Sequence, residues 1–291
     1  MILKEKKLSE KPEIKVIGLD LDGTTLNRKK QFADRTLKAF KEADEKGIHI
    51  VIATGRAFHS LPDNIFDIQG INYVIMANGA KIYDAKQKKI IYENCLPANS
   101  VEMVAEIIEK EKLNAEAFID GRAYISEREY KAICDGRIKT RSREYVLKSR
   151  TPEEKLIQII LDNKDRIENI SINYADDETK KKMEEKIRKV PNVTVTSSFP
   201  LNNEIGGTTT SKAEAFRFLL NLLNLKPENL MACGDSYNDL AMLNLAGVSV
   251  AMENAVEDLK EKVDYVTDTN DNDGVAKAIE KFALEKDINL K

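Results

Sequence analysis

The chain has 291 residues, enough for one large domain or two medium-sized ones. Hydrophobic residues make up 42% of it and charged residues 33%, which is typical of a soluble globular protein. The formal net charge of −3 argues against nucleic-acid binding as the main function. No apolar run approaches the ~20 residues that a membrane span needs, and the charged N-terminus does not resemble a signal peptide. We therefore expect a cytoplasmic protein without a nucleic-acid or membrane partner.

The first third of the chain alternates apolar strands with helices. Val16 to Leu19 predict a buried strand, and Asp20 and Asp22 follow it. A helix ending at Lys46-Gly47 leads to a second strand over 48–53, which is followed by Thr54-Gly55-Arg56 and a helix expected from about Ala57. A third strand covers 73–77. This order predicts a parallel, doubly wound sheet with polar residues at the carboxyl ends of its strands.

The pattern changes after residue 80. Two hairpins are predicted over 81–92 and 117–125, the second around an Asp-Gly turn. Helices are predicted over 100–112 and 178–189, and strands over 170–174 and 193–196. Thr151-Pro152-Glu153 has the composition of a helix start, with a capping residue, a proline and an acid. The segment 81–196 therefore predicts an inserted α+β cap domain.

The first architecture then resumes. A helix over 213–225 has Lys212 at its start, and a buried strand over 230–233 is followed by Gly234-Asp235-Ser236-Tyr237-Asn238-Asp239. We expect an α/β fold, a doubly wound parallel-sheet (Rossmann-like) core formed by residues 1–80 and 197–291, with the cap domain 81–196 inserted between its halves.

Asp20 and Asp22 are the first candidates for chemistry. Side chains at i and i+2 of an extended chain point to the same side, and two carboxylates so placed repel each other unless a cation or a proton relieves them. A hard metal such as Mg²⁺ suits the pair, with one carboxylate as nucleophile and the other as proton carrier. An ordinary Asp-Gly turn explains the same residues, whereas the later ligands of a calcium loop are missing.

The polar clusters after the other strands bear on this choice. Thr54-Gly55-Arg56, Lys212 and the 234–239 cluster should converge with Asp20 and Asp22 at one edge of a parallel sheet. Three carboxylates, a lysine, a hydroxyl and an amide in one crevice describe a site for phosphoryl transfer, which needs positioning and neutralisation of oxygen charge.

These clusters, in this order, resemble the motifs of the haloacid dehalogenase superfamily, specifically its Cof-type sugar-phosphatase-like branch. The matching stretches are Asp20-Leu21-Asp22-Gly23-Thr24-Thr25-Leu26, Ala53-Thr54-Gly55-Arg56, Ser211-Lys212 and the run from Gly234 to Leu243. Asn78-Gly79-Ala80 also resembles the start of the cap in this branch. One departure is Ala213 after Lys212, where the family often has glycine.

The resemblance implies a role for each matching residue. Asp20 would attack phosphorus and form an aspartyl-phosphate, and Asp22 would move protons to the leaving group and from water. Mg²⁺ would bind Asp20, the backbone carbonyl of Asp22 and Asp235, with Asp239 ordering the metal's surroundings. Thr54, Gly55 and Asn238 would hold phosphoryl oxygens, and Lys212 would offset charge. Arg56 would contact the substrate or cap, or pair with a surface acid.

The expected activity is hydrolysis of a small phosphorylated metabolite by a monomer or weak homo-oligomer. Sugar phosphates are the leading substrates, with pyridoxal phosphate and flavin mononucleotide as alternatives. A phosphomutase and a non-catalytic phospho-ligand-binding protein are the rival functions. A basic run in the predicted cap is either a solvated face or the source of an arginine that clamps a second anionic group of the substrate. Its members are Arg137, Lys139, Arg141, Arg143, Lys148 and Arg150.

Overall fold

The computed structural model describes residues 12–138 and 142–286, which form two sheets. The fourteen strands, numbered in chain order, are β1 (Val16–Asp20), β2 (His49–Ala53), β3 (Ile71–Met76), β4 (Lys81–Asp84), β5 (Lys89–Glu93), β6 (Asn114–Ile119), β7 (Arg122–Ser126), β8 (Arg150–Glu153), β9 (Ile167–Asn173), β10 (Thr194–Thr196), β11 (Asn202–Gly206), β12 (Leu230–Gly234), β13 (Val248–Ala251) and β14 (Tyr265–Val266). The α-helices are α1 (Asp34–Glu45), α2 (Ala98–Glu111), α3 (Glu127–Cys134), α4 (Arg143–Ser149), α5 (Leu156–Asp162), α6 (Asp177–Ile187), α7 (Lys212–Leu222), α8 (Leu240–Leu245), α9 (Glu257–Lys260) and α10 (Gly274–Phe282).

The larger sheet has eight strands in the order β14-β13-β12-β1-β2-β3-β4-β5. The first six of these run parallel, and β4 and β5 are antiparallel additions at one edge. β1 is entirely buried, as expected for a strand covered on both faces. The predicted α/β fold with a parallel, doubly wound core is confirmed.

The smaller sheet has six strands in the order β10-β11-β9-β6-β7-β8. One of its faces packs on α2, α5 and α6 through an apolar cluster that includes Val104, Ile160, Ile172 and Ile187. The other face is polar, with Glu204, Ser171 and Glu116 side by side on β11, β9 and β6. We call this sheet and its helices, residues 98–206, the cap.

The boundaries between the segments that form the larger sheet and those that form the smaller sheet differ from the boundaries that the sequence predicts. The hairpin 81–93 is predicted within the cap, but β4 pairs with the edge strand β3 of the larger sheet. Residues 202–206 are predicted in the core, but they form β11 of the smaller sheet. Alternating strands show that a hairpin forms but not which sheet edge it joins. The division into separately folding domains stays a prediction.

Two predicted helix starts are wrong. Thr151 and Pro152 lie in β8, and α5 begins only at Leu156. β8 is the edge strand of the smaller sheet, and an edge strand is the place in a sheet where proline is tolerated. After Ala57, residues 58–60 form a single 3₁₀ turn instead of the expected α-helix. Among the described residues, no helix is long and apolar enough to cross a membrane.

Candidate active site

The carboxyl ends of three adjacent parallel strands carry the predicted site residues. β1 ends at Asp20, Thr54 follows β2 and Asp235 follows β12, and β1 lies between the other two strands. These residues line one cavity of about 510 Å³ between the larger sheet and the cap. Asp22, Gly55, Arg56 and Asn238 line it as well. The structure therefore brings together the residues that the sequence places far apart.

Lys212 is fully buried and joins two of these carboxylates. Its Nζ donates to Oδ1 of Asp20 at 2.5 Å and to Oδ1 of Asp239 at 2.6 Å. Burial opposes the charge of the lysine, but both carboxylates favour it, and the net effect is a raised pKa of Lys212. The ammonium therefore stays charged beside Asp20, where it can offset negative charge on an attacking oxygen.

A glycine in β1 sets the position of Lys212. Lys212 and Phe216 lie one helical turn apart on α7, so they share a face of the helix. A Cβ on Gly18 would lie 2.5 Å from the ring of Phe216, so only glycine admits this close packing of α7 on β1. With Phe216 against Gly18, the first turn of α7 lies at the end of β1, where Asp20 is.

Asp239 organises the loop after β12. Its Oδ2 accepts hydrogen bonds from the backbone amides of Asp235 and Ser236, both at 3.0 Å, while its Oδ1 accepts from Lys212. A Cβ on Gly234 would lie 2.5 Å from that of Asp239, which explains the glycine. Asp239 thus orients both Asp235 and Lys212, and its role in ordering the surroundings of a metal stays a prediction.

Oxygen ligands for a metal lie next to each other in this cluster. Oxygens of Asp20, Asp235 and Asp239 all lie within 4.8 Å of one another. Lys212 donates to Oδ1 of Asp20, and the hydroxyl of Thr24 donates to Oδ1 of Asp235. None of the described residues donates to Oδ2 of either aspartate. A hard divalent cation fits such a set of carboxylate oxygens.

The electrostatics of the cluster also favour a cation. Burial raises the pKa of Asp20 well above its ordinary value, and the charges of Asp239 and Asp235 add to the effect of burial while Lys212 opposes it. Burial and Asp239 raise the pKa of Asp235 to about 7. Carboxylates that resist ionisation together are stabilised in their charged form by a bound metal.

Asp22 has different surroundings. Nε of Arg56 donates to its Oδ2 and Nη2 to its Oδ1, both at 2.7 Å, and Lys30 donates to Oδ1 at 2.9 Å. Burial opposes ionisation, but the hydrogen bonds and charges of Arg56 and Lys30 prevail and lower the pKa of Asp22 to about 2. Arg56 therefore pairs with an acid of the site and not with a surface acid.

The backbone after β2 forms a tight polar turn. The hydroxyl of Thr54 accepts a hydrogen bond from the amide of Arg56 at 3.1 Å. A Cβ on Gly55 would lie 3.1 Å from the amide oxygen of Asn78, so the turn is close to that side chain. Thr54 and Gly55 thus present a hydroxyl and a backbone amide at the cavity, two groups suited to phosphoryl oxygens.

A chain of amides joins the site to the cap. Asn238 donates to Oδ1 of Asn78 at 3.1 Å, and Nδ2 of Asn78 donates to Oε2 of Glu204 at 2.8 Å. Asn78 adopts a left-handed backbone with φ of 56°, which asparagine tolerates better than most residues. Glu204 lies in the polar face of the cap sheet and lines the cavity. The hydrogen-bonded path from Asn238 thus continues into the cap.

The cap supplies eight further residues of the cavity wall, of which the sequence analysis named only Arg150. These residues are Phe118, Ser142, Tyr145, Arg150, Ser171, Ser198, Phe199 and Glu204. Among the residues that the structure describes, Arg150 is the only member of the basic run at the cavity, and its Nε donates to Glu116 at 3.0 Å. Arg137 and Lys148 form exposed ion pairs, and Arg143 is exposed. Lys139 and Arg141 lie outside the described residues. The second anion clamp therefore has Arg150 as its single described candidate, and Glu116 already neutralises it.

No signal in the sequence marks most of the cap residues. Serines, aromatic residues and a glutamate occur throughout the cap, and only the cross-strand register places Ser171 beside Glu204. Asn78 is the exception, because it follows β3 just as Thr54 follows β2. Its place at the end of a parallel strand could have identified it as a site residue.

Comparisons with known proteins agree with this geometry. The family model described as haloacid dehalogenase-like hydrolase matches residues 17–279. The 5-amino-6-(5-phospho-D-ribitylamino)uracil phosphatase YcsE of Bacillus subtilis (strain 168) is 31% identical over 275 residues, covering 94% of this chain and 98% of that protein. A second 5-amino-6-(5-phospho-D-ribitylamino)uracil phosphatase of the same organism, YwtE, is 27% identical, and the match covers 92% of this chain and 98% of that protein. The solved structure of a haloacid dehalogenase-like hydrolase from B. subtilis aligns with a TM-score of 0.80 at 29% identity, covering 92% of this chain and 99% of the other.

Proposed function

The chain belongs to the haloacid dehalogenase-like hydrolase family, and on that basis we propose that it is a Mg²⁺-dependent phosphatase of small phosphomonoesters. The reaction proceeds through an aspartyl-phosphate on Asp20. The observation that carries this proposal is the arrangement around Asp20. It lies at the cavity, Lys212 donates to one of its oxygens, and an oxygen of Asp235 lies within 4.8 Å of one of its own.

The first step transfers the phosphoryl group to Asp20. The carboxylate attacks phosphorus, the bond to the leaving-group oxygen breaks, and Lys212 offsets the charge near the attacking oxygen. Thr54, the amide of Gly55 and Asn238 hold the phosphoryl oxygens. Asp20, Asp235 and the backbone carbonyl of Asp22 would hold Mg²⁺, which when bound supplies positive charge to a phosphoryl oxygen.

Asp22 moves the protons of the reaction. It protonates the departing oxygen in the first step and takes a proton from the water that hydrolyses the aspartyl-phosphate in the second. In the structure, Arg56 and Lys30 favour its ionised form, which is the form that accepts a proton from water. Donation to the leaving group uses the protonated form, which the negative charge of a bound phosphate favours because a like charge raises the pKa of a nearby carboxyl. The same contacts hold the carboxylate at the cavity wall, where a leaving group would lie.

The cavity supports substrates of the size of a sugar or sugar-alcohol phosphate with a ring attached. Its volume of about 510 Å³ is within the range of small-molecule sites. Phe118, Tyr145 and Phe199 offer aromatic surface, while Ser171 and Glu204 offer partners for hydroxyl groups. Two relatives are named as phosphatases of 5-amino-6-(5-phospho-D-ribitylamino)uracil, which has both features. That compound therefore joins sugar phosphates, flavin mononucleotide and pyridoxal phosphate as candidate substrates.

A phosphate-release assay over these compounds tests the proposal. We expect release with Mg²⁺, its loss when EDTA removes the metal, and a decrease in kcat of about a thousandfold or more for Asp20→Asn. Release of no phosphate from any compound would favour a non-catalytic binding protein, and isomerised product without free phosphate would favour a phosphomutase. Full activity of Asp20→Asn would exclude Asp20 as the nucleophile.

The cellular setting is part of the same proposal. Cys95, Cys134 and Cys233 are free thiols, which supports a reducing compartment such as the cytoplasm. A monomer or weak homo-oligomer stays the predicted state, and size-exclusion chromatography with light scattering would test it.

A further inference from the structure

Tyr145 of the cap lies between two arginines. The Cζ of Arg56 is 5.1 Å from the centre of its ring, and the Cζ of Arg150 is 4.9 Å from it. Both distances are within the range of cation–π attraction. Arg150 also donates from Nη1 to the hydroxyl of Tyr145 at 3.2 Å, which helps to fix the ring in place.

The face of the Tyr145 ring lies against a guanidinium whose nitrogens already donate hydrogen bonds. Nε and Nη2 of Arg56 donate to Asp22, and Nη1 donates to the carbonyl of Ser60 at 2.9 Å. The side chain of Arg56 is only 10% exposed. Because each nitrogen of Arg56 already donates one hydrogen bond, the contact with the ring is a further constraint on how the guanidinium plane is tilted.

The tilt of this plane matters for Asp22. A bidentate pair holds a carboxylate and a guanidinium in a preferred relative geometry, so the orientation of Arg56 carries over to Asp22. The connection extends into the cap, because Arg150 bonds both Tyr145 and the buried Glu116. A continuous set of contacts therefore runs from the cap sheet to the carboxylate that moves protons.

We propose that Tyr145 is a positioning residue that orients Asp22 through Arg56, so that protonation of the leaving group requires the cap to be in place. The inference rests on the role of Asp22 in the proposed function. Tyr145 lies on α4 of the cap, whereas Asp22 and Arg56 lie at the strand ends of the larger sheet. Small displacements of a catalytic group are costly, since about 1 Å of misplacement can reduce a rate about a hundredfold.

The leaving group distinguishes this role from simple packing. The alkoxide leaving from D-ribose 5-phosphate needs a proton, whereas p-nitrophenolate leaves without one. We therefore expect Tyr145→Leu to slow single-turnover release of ribose at saturating substrate by about ten- to a hundredfold, a part of what general acid catalysis contributes. Release of p-nitrophenol from p-nitrophenyl phosphate should slow far less, because its departure does not use that contribution. Tyr145→Phe keeps the ring and should keep the ratio of the two release rates close to that of the parent.

Three results would overturn the inference. Equal slowing of both substrates by Tyr145→Leu would show a structural or binding role, and unchanged rates would show that the ring does not orient Asp22. A loss in Tyr145→Phe equal to that in Tyr145→Leu would assign the effect to the hydroxyl and contradict the face contact. If Tyr145→Leu does not fold, Tyr145→Met fills a similar volume without an aromatic face and carries the same prediction.

Asp22→Asn separates this inference from the proposed function. It should slow ribose release far more than release of p-nitrophenol. If Asp22→Asn shows this selectivity and Tyr145→Leu does not, Tyr145 is not a positioning residue and the proposed function stands. If Asp22→Asn lacks the selectivity, Asp22 does not protonate the leaving group, and both the inference and the role of Asp22 in the proposed function fail, whereas phosphate release through Asp20 is tested separately.

Discussion

Lys212 is an unusual lysine because no part of its side chain reaches solvent. Its burial is tolerated because Asp20 and Asp239 both accept hydrogen bonds from its ammonium group. Asp239 is in turn bonded to two backbone amides, so the charges at this point are matched by hydrogen bonds. Removing a member of such a set leaves the others buried without compensation.

We expect Lys212→Met to be both inactive and unstable. It removes one positive charge from between two buried carboxylates, and the free energy of unfolding should fall by about 3–5 kcal/mol. Urea unfolding followed by circular dichroism measures this loss. Adding Asp239→Asn to the variant should recover part of the loss because one uncompensated charge disappears, whereas additive losses would contradict the pairing.

The site could be predicted from the sequence where its residues follow strands. Asp20, Thr54 and Asp235 each come at the end of an apolar run, and the parallel order of those runs predicts their convergence. Tyr145 could not be predicted in this way. Its place depends on how the cap lies against the larger sheet, which no local pattern encodes.

Among helices and strands, the contact between α7 and β1 controls the site most directly. Phe216 packs on Gly18, and this contact places Lys212 beside Asp20. Gly18→Ala would put a methyl group within 2.5 Å of the ring, so we expect a loss of about 1–3 kcal/mol in unfolding free energy. Activity should fall as well, since α7 carries Lys212.

Phe216→Leu serves as the matched partner of Gly18→Ala. Leucine is smaller and frees space for the added methyl group, so the double variant should be more stable than the sum of the two single losses predicts. Chemical unfolding of all four proteins measures this coupling. Strictly additive losses would show that the ring and the glycine do not pack on each other.

The cap contains a buried acid outside the proposed chemistry. Glu129 on α3 is 2% exposed, and its Oε2 has no hydrogen-bond partner among the described residues. Burial raises its pKa from 4.5 to about 7, although Asn173, Arg128 and Arg150 oppose the rise. Between these pH values the folded chain keeps a proton that the unfolded chain releases. Stability should therefore fall as the pH rises from about 4.5 to about 7.

Glu129→Gln should remove this pH dependence. The amide keeps the shape and the acceptor for Asn173 but does not ionise, so at pH 8 the variant should be more stable than the parent by up to about 3 kcal/mol. Urea unfolding at pH 5 and pH 8, with EDTA present, compares the two proteins. Stability curves that run parallel across this range would contradict the raised pKa of Glu129.

The two wrong helix starts show what local patterns leave out. Thr151-Pro152-Glu153 has the residues of a helix start, yet the backbone pairs in parallel with β7. An edge strand tolerates proline as well as a helix start does, and the choice depends on whether a neighbouring strand is available. Pairing with β7 therefore makes these residues a strand, although their local sequence predicts the start of a helix.

The complete chain brings the two sheets into direct contact. Ala57, Ala77 and Ala80 pack against Phe118 and Ala123 of the cap. Lys81 pairs with the buried Glu168 at 3.0 Å, and Ser236 donates to the carbonyl of Ser198 at 3.2 Å. These contacts hold the cap against the larger sheet, and Phe118, Ser198 and Ser236 among them also line the cavity. Water exclusion and choice of leaving group would both follow from a cap held in this position.

The sequence predicts the structure of the larger sheet better than it predicts how the cap contacts that sheet. Parallel strands and their polar ends have a clear periodic pattern, and the α/β fold follows from it. The alternation of apolar and polar residues in the hairpin 81–93 suits either sheet. Only the open edge of β3 explains why the hairpin joins the larger sheet. The same limit applies to the cavity wall, because part of it belongs to the cap.

Trapping the phosphorylated enzyme tests the role of Asp20 most directly. The protein is mixed with Mg²⁺ and its best substrate, quenched during turnover and reduced with borohydride, which converts an aspartyl-phosphate to homoserine. Peptide mass spectrometry should then find homoserine at position 20, and only when substrate was present. Unmodified Asp20 in a protein that releases phosphate, or modification at another residue, would contradict an aspartyl-phosphate on Asp20.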